Sequence, residues 1–435
     1  MSVSPFEERY ATKMNPIFED ESKIQRWMRV EIALSKAHSK LGNIPTEVPK
    51  KLEAAATKVK FSRVLEIESQ IHHDLMAMVK AFTEQAGEAG KYIHLGATSY
   101  DIEDTATALM FVEAIDLLLE DSKGLLEVLK KLSKDHIKTV CVGRTHGQHA
   151  VPTTYGLKFA IYYQELVRNI ERLKSAKVQI AYGKMSGAVG TMATFGERAF
   201  EIEKLVMDDL GLSASPASNQ VIQRDRHAQV LCTLAIYAAS LEKIAKELRN
   251  LQRSEIGEVY EHYGAKQVGS STMPQKRNPH KSERVCSLSR LVRANVQVAI
   301  ENIPLEHERD LTNSANERAI FSESFICLDY MILEMTKILS GLVFHFDNIE
   351  RNLELTGGSI MSERLMIYLV ETKGIGRQDA HEKVREISQE AFEKKLHLRD
   401  LVVKKGLLTK QEAEKLFDYS TYIGKAEEIV KRATK

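Results

Sequence analysis

The chain has 435 residues, 43% hydrophobic and 28% charged, with a formal net charge of +1. A balance this close to neutral argues against a nucleic-acid or membrane-surface protein, so any cation-rich site must be local. The length exceeds the roughly 100–200 residues of one compact core, and two or three domains are expected.

The N-terminus, Met-Ser-Val-Ser-Pro-Phe-Glu-Glu-Arg-Tyr, has no apolar h-region, so a secretory leader is not expected. No apolar run approaches the roughly 20 residues that span a bilayer. Residues 1–92 read as shorter helices, with Pro45 and Pro49 between them. Residues 93–345 read as long helices. All nine prolines lie at or before residue 304, and none falls between 50 and 151, between 153 and 215, or between 217 and 273. Proline-free stretches permit long helices. Apolar stripes at alternating steps of three and four say the helices exist: Leu166, Ile170, Leu173 and Ile180; Leu234, Ala238, Leu241, Ala245 and Leu248; Phe321, Phe325, Leu328, Ile332, Met335, Leu339 and Leu342. Such seams suit helices packed side by side in a bundle. The break Thr356-Gly357-Gly358-Ser359 opens a helical tail, 346–435, with a further turn at Gly374 and Gly376. Alternating strand patterns are scarce, so the expected class is all-α. Cys141, Cys232, Cys286 and Cys327 are far apart and form no Cys-x-x-Cys pair, which argues against a metal site or disulfide framework and for the cytoplasm.

Five polar segments interrupt the helical pattern. His72, His73 and Asp74 form the first. Ile93–Asp101 is the second, where Thr98 and Ser99 follow Gly96 and precede a helix; hydroxyls and free amides there make either an anion site or a plain N-cap. Gly143–His149 is the third. His146 lies there outside any apolar stripe, either as a group that exchanges a proton near neutrality or as a partly buried imidazole bonded to a carbonyl; the same pair of readings holds for His73 and His94. Residues 269–279, Gly-Ser-Ser-Thr-Met-Pro-Gln-Lys-Arg-Asn-Pro, are the fourth and the most informative. Pro274 and Pro279 exclude a core helix. The loop presents the hydroxyls of Ser270 and Ser271, the ammonium of Lys276 and the amide of Asn278, a set suited to a carboxylate ligand. Its entry glycine and polar content predict a mobile lid. In the fifth, 306–318, Arg309 and Arg318 flank Ser314. They read as phosphate- or carboxylate-binding forks, or as ion pairs with the acids around them. Gly187-Ala188-Val189-Gly190 lacks the Lys-Ser/Thr and the strand of a P-loop. No two histidines share a zinc-type spacing, and no metal or cofactor is expected.

The order and identity of these segments together are specific. Over nearly its whole length the chain resembles the fumarase/aspartase superfamily, on Thr98-Ser99 with Asp101, on Thr145-His146 with Gly147, and on the 269–279 loop. The strings 94–106, 143–158, 223–228 and 307–310 make it most similar to the branch that cleaves adenylosuccinate. The resemblance implies an all-α, three-domain fold, divided as 1–92, 93–345 and 346–435. It implies a homotetramer with a twenty-helix core, five long helices from each subunit, and active sites each shared by three subunits. The implied reaction is reversible β-elimination of fumarate from adenylosuccinate, leaving AMP, and from the succinyl-aminoimidazole-carboxamide ribotide. The partner is thus a small nucleotide, with no nucleic acid and no membrane.

Carried over position by position, the resemblance makes Ser270 the general base and His146 the general acid. His73 supports that acid, and Glu283 orients it. Lys276, Asn278, Thr98 and Ser99 grip the succinyl carboxylates, and Gln220 holds the succinyl or amide portion. His94 lies near the site, and His72 and Asp74 flank His73 at the substrate. Arg9 and Tyr10, with Arg309, Ser314 and Arg318, contact the nucleotide and its phosphate. Three departures stand out. Pro16 comes late after Arg9-Tyr10, His72 stands where relatives often have arginine, and Glu306 stands where many have tryptophan. The loop alone also fits a carboxymuconate cycloisomerase or an argininosuccinate lyase. Phosphate ligands at Arg309, Ser314 and Arg318 discriminate against these. A catalytically dead structural relative is a further reading, against which Ser270, His146 and Lys276 speak.

Overall fold

A computed structural model describes residues 4–264 and 266–435. Its helices follow the proline gaps. Five of them are long: Ser99–Asp135, Tyr155–Ile180, Asp225–Leu251, His280–Glu301 and Ser314–Ser340. The stripes read from the sequence are their inner faces. Leu234, Ala238, Leu241, Ala245 and Leu248 are all buried, as are Phe321, Phe325, Leu328, Ile332, Met335 and Leu339. Asp225–Leu251 is apolar and long enough to span a bilayer by length and composition alone, but two thirds of its apolar window is buried inside the protein.

The chain divides into two compact units. One comprises Met1–Ser122, Asn169–Ala239 and Ser287–Leu333; the other comprises Lys123–Arg168, Ser240–Cys286 and Glu334–Lys435. Each long helix contributes residues to both. The first unit builds its core from the short N-terminal helices, with Trp27, Leu34, Leu52, Leu75 and Phe82, and from Ile202 and Val206 of the helix Ala199–Leu210. In the second unit, Leu365, Leu369, Val384, Ile387 and Leu398 of the C-terminal helices pack together. The break expected near 356 is present: Gly357 and Gly358 both have positive φ, and Gly374 ends the helix Ser362–Lys373 in the left-handed region.

The departure from a purely helical chain is small. Three two-stranded sheets occur among the described residues. The one that matters is the antiparallel hairpin Val140–Thr145/Gln148–Thr154. Its inward Val142 is buried in the C-terminal cluster. His146 and Gly147, both at positive φ, form its two-residue tip, the geometry that fits a twisted hairpin.

Candidate active site

Histidine geometry is the first sign of a site. Among the described residues six non-glycine residues have positive φ, and four are histidines: His72, His94, His146 and His307. Holding a side chain there costs about 1 kcal/mol or more, which surrounding bonds must offset.

In the first unit those bonds are visible. His72 ends the helix Phe61–Ile71 in the left-handed region, its N–H donating to Glu68 O at 2.8 Å. His73 then caps the helix Asp74–Ala86, its Nδ1 accepting the Met76 N–H at 3.4 Å. A ring nitrogen that accepts carries no proton, so the proton of a neutral His73 sits on Nε2. The 3.9 Å approach of the same Nδ1 to Asp74 is therefore no hydrogen bond. Asp74 is engaged elsewhere. Burial would raise its carboxyl, but Arg318 Nη2 at 2.6 Å and the Leu75 amide hold it below the usual carboxylate range. Arg318 keeps about half of its side chain open to water.

His94 is held by Glu31, which accepts from the His94 amide at 2.9 Å and lies 2.7 Å from its Nδ1. Burial pulls the imidazole down, and the Glu31 carboxylate more than offsets it, so His94 titrates above its ordinary value. Thr98 and Ser99 follow at the start of a long helix. The Thr98 amide donates to Asp101 Oδ2 at 2.9 Å. Asp101 itself is fully buried against the Lys184 ammonium and the amides of Ser186 and Gly187. The Gly187–Gly190 run thus has a local cause. Gly190 has φ +85, and a Cβ there would lie 1.9 Å from Ser218 O.

The arginine set gathers around Tyr100. The Arg309 guanidinium carbon lies over its ring, 3.7 Å from the centroid. Ser314 hydrogen-bonds the Tyr100 hydroxyl, which burial pushes up to about 12. Arg309 Nη1 reaches Asn313 at 3.3 Å, while its buried Nη2 has no partner. Ser314 and Arg318 line a cleft of about 680 Å³ with Tyr100 and Glu103. The Gln220 backbone N–H donates to Glu308 O at 3.3 Å, joining its segment to the 306–318 segment. Beneath lies a buried network that assigned no role to its members from sequence: Arg224 forks onto Asp104 at 2.8 and 3.0 Å and onto Glu317 at 2.9 and 3.2 Å. Tyr10 packs edge-on against Tyr330 at 5.1 Å, and Arg9 is exposed beside it.

The second unit holds the 269–279 loop and the His146 hairpin. Ser270 Oγ accepts the amide N–H groups of Met273 at 3.0 Å and Thr272 at 3.3 Å. The loop closes on itself through Asn278 Nδ2, which donates to Gly269 O at 2.8 Å. Gly269 is obligatory: a Cβ would meet Lys276 O at 2.0 Å. Gln252 ties the loop down from behind, donating to Arg277 O at 2.9 Å. Lys276, Asn278 and Glu283 line one cleft of about 1060 Å³, beside Arg249 and Arg253. His146 stands exposed at the hairpin tip, with no hydrogen bond or ion pair to Ser270, Lys276 or Glu283 among the described residues. The hairpin is anchored next to it. Arg144 pairs with buried Glu258, which also holds Tyr155 and accepts from Asn352 at 2.8 Å.

The candidate residues thus fall into sets. His72–Asp74, Arg309, Ser314, Arg318 and Gln220 have partners within the first unit; Ser270, Lys276, Asn278 and Glu283 share the loop region of the second. Glu31, Tyr100, Glu103 and the Asp104–Arg224–Glu317 network went unassigned in the sequence. Arg224 carried a signal inside the string 223–228, and Tyr100, Glu103 and Asp104 inside the string 94–106; Glu31 and Glu317 carried none.

Comparisons with known proteins show the family of the chain. A lyase family profile matches residues 8–294, and a profile described as adenylosuccinate lyase C-terminus matches 358–433. Proteins named adenylosuccinate lyase are 54% identical in Pyrococcus abyssi, over 99% of this chain and 97% of that one. In Bacillus subtilis the figure is 41%, over 98% and 99%. Among solved structures, a fumarate lyase from Mesorhizobium superposes with a TM-score of 0.90 at 28% identity, over 98% of each chain. A 3-carboxy-cis,cis-muconate lactonizing enzyme from Pseudomonas putida gives 0.91 at 29%, over 99% of this chain and 98% of the other. The chain is therefore an all-α lyase that belongs to the adenylosuccinate lyase family of the fumarase/aspartase superfamily.

Proposed function

We propose that the protein cleaves adenylosuccinate to AMP and fumarate, and the succinyl-aminoimidazole-carboxamide ribotide to its carboxamide and fumarate. The observation that carries this choice within the superfamily is the unpartnered, buried Nη2 of Arg309, whose guanidinium lies over Tyr100, the residue that Ser314 hydrogen-bonds. A buried guanidinium donor without an acceptor calls for an anion, and a nucleotide phosphate supplies one. Carboxymuconate and argininosuccinate carry carboxylates but no phosphate.

In the elimination, Ser270 takes the proton from the carbon beside a carboxylate. The C–N bond breaks, a C=C bond forms, and His146 protonates the departing N6. Two amide N–H groups already point at Ser270 Oγ. They favour the alkoxide over the hydroxyl, which is what a serine needs to act as a base. Negative charge grows on the succinyl carboxylate. Lys276, Thr98, Ser99 and the part of the Asn278 amide not used in the loop receive it. His73 presents Nε2 beside Asp74 and Arg318 at the phosphate end, with Arg9, Tyr10 and His72. Glu283 orients His146, Gln220 holds the succinyl or amide portion, and His94 lies near the site.

The working form is a homotetramer whose sites each draw on three subunits, in the cytoplasm. Ile161, Val178, Ile236, Leu291 and Ile300 support association, because these exposed apolar residues of long helices would leave water on assembly. The four free cysteines fit a reducing compartment. The division 1–92, 93–345 and 346–435 is kept as the domain scheme, supported by the glycine break at 357–358. Mixing the protein with adenylosuccinate tests the function. Equal amounts of AMP and fumarate should appear; no turnover there, with turnover of carboxymuconate, would move the chain to another branch.

A further inference from the structure

The cleft of the first unit has the wrong sign for its proposed ligand. Glu7, Glu19, Glu103 and Glu323 line it without an ion-pair partner among the described residues. Its cations Lys23, Arg224 and Arg318 are already paired with Asp20, with Asp104 and Glu317, and with Asp74. A dianionic phosphate entering beside Ser314 and Arg318 meets more negative than positive charge. One of these acids is placed to relieve that. Glu103 lies one helical turn after Ser99 and on the same face as Tyr100, so it faces the arginine set.

We infer that Glu103 is the proton acceptor that lets this cleft take a phosphate: it binds a proton as the nucleotide enters and gives it back on release. The inference rests on the nucleotide reading above. The groups that face Glu103 are Tyr100 and Asp104 on its own helix, Asp74 on the helix Asp74–Ala86, Arg318 on the helix Ser314–Ser340, and Arg309 in the segment before it. Burial pushes the Glu103 carboxyl up to about 8, with Asp74 and Asp104 adding to the shift and the arginines opposing it. Glu103 is thus partly ionised in mildly alkaline solution. A phosphate dianion close by drives the remaining carboxylate to its neutral form, and the neutral acid can then donate a hydrogen bond to a phosphate oxygen.

The test is calorimetric titration of the full-length protein with AMP at pH 8, in buffers of different ionisation enthalpy. The wild type should take up about half a proton per site at that pH, and more at pH 9. Glu103→Gln should bind AMP with no uptake at either pH, and Glu323→Gln should behave like the wild type. Uptake that persists in Glu103→Gln would place the proton on another group and overturns the assignment. AMP binding by the wild type with no buffer dependence overturns it too, and leaves the nucleotide reading standing. Failure of AMP to bind the wild type at all removes both.

Discussion

At the scale of single residues, the account makes Ser270 and His146 the proton carriers. Ser270→Ala and His146→Gln should each lower kcat by at least about 100-fold, the size of a general acid–base contribution. Near-normal turnover in steady-state assays would remove that residue from the mechanism. Gly269 is a sharper probe of the loop. Its added Cβ would meet the Lys276 carbonyl at 2.0 Å, so Gly269→Ala should abolish most activity while thermal unfolding hardly moves. A large fall in Tm would mean that the loop matters to the fold rather than to the chemistry. The candidate proton- and anion-handling residues stand out in the sequence, because they sit in polar breaks between long apolar stripes. It hid their partners. Glu31 lies 63 residues before His94 in a helix rich in charge, and nothing in its neighbourhood distinguishes it from a solvated glutamate. Tyr100 beneath Arg309 is a contact across 209 residues, visible only once the two helix starts are brought together.

Elements hold these residues through buried charge. His94 gains from Glu31, so the sign of the pH dependence follows. A histidine raised on folding contributes stability that is complete below its unfolded value, about 6.5, and is lost as pH rises through the folded one. Glu31→Gln should therefore destabilise the protein more at pH 6 than at pH 9 in denaturant titrations. An equal loss at both would mean that His94 is not charged. The Asp104–Arg224–Glu317 network ties the starts of three long helices. Removing its cation leaves two buried carboxylates, so Arg224→Met should cost about 3–5 kcal/mol. A cost below about 1 kcal/mol would show the site hydrated rather than buried. Helix positions were readable because their stripes repeat, and the buried stripes match them except at Ile170, which is half-buried, and Leu342, which lies past the helix end at Ser340. The hairpin carrying His146 was not readable. Its strands are short and interrupted by a bulge between Val142 and Arg144, and their buried residues, Cys141, Val142, Pro152 and Thr154, do not form a clean apolar alternation.

For the whole molecule, the fold class was legible and the partition into compact units was not. A unit built from three separated stretches, with five helices running on into the other, leaves no composition shift at a boundary. The same distribution sets the strongest demand on the assembly. Ser270 and His146 lie in one unit, and the arginine set lies in the other, yet one substrate must touch them all. The account meets that demand by sharing each site among subunits of a tetramer. Its most direct test is subunit mixing. Ser270→Ala and His146→Gln proteins, each nearly inactive alone, are unfolded together, refolded and assayed with adenylosuccinate. Hybrid tetramers should regain cleavage that neither parent shows, because some sites then contain both intact residues. Mixed tetramers as inactive as their parents would contradict a site shared between subunits.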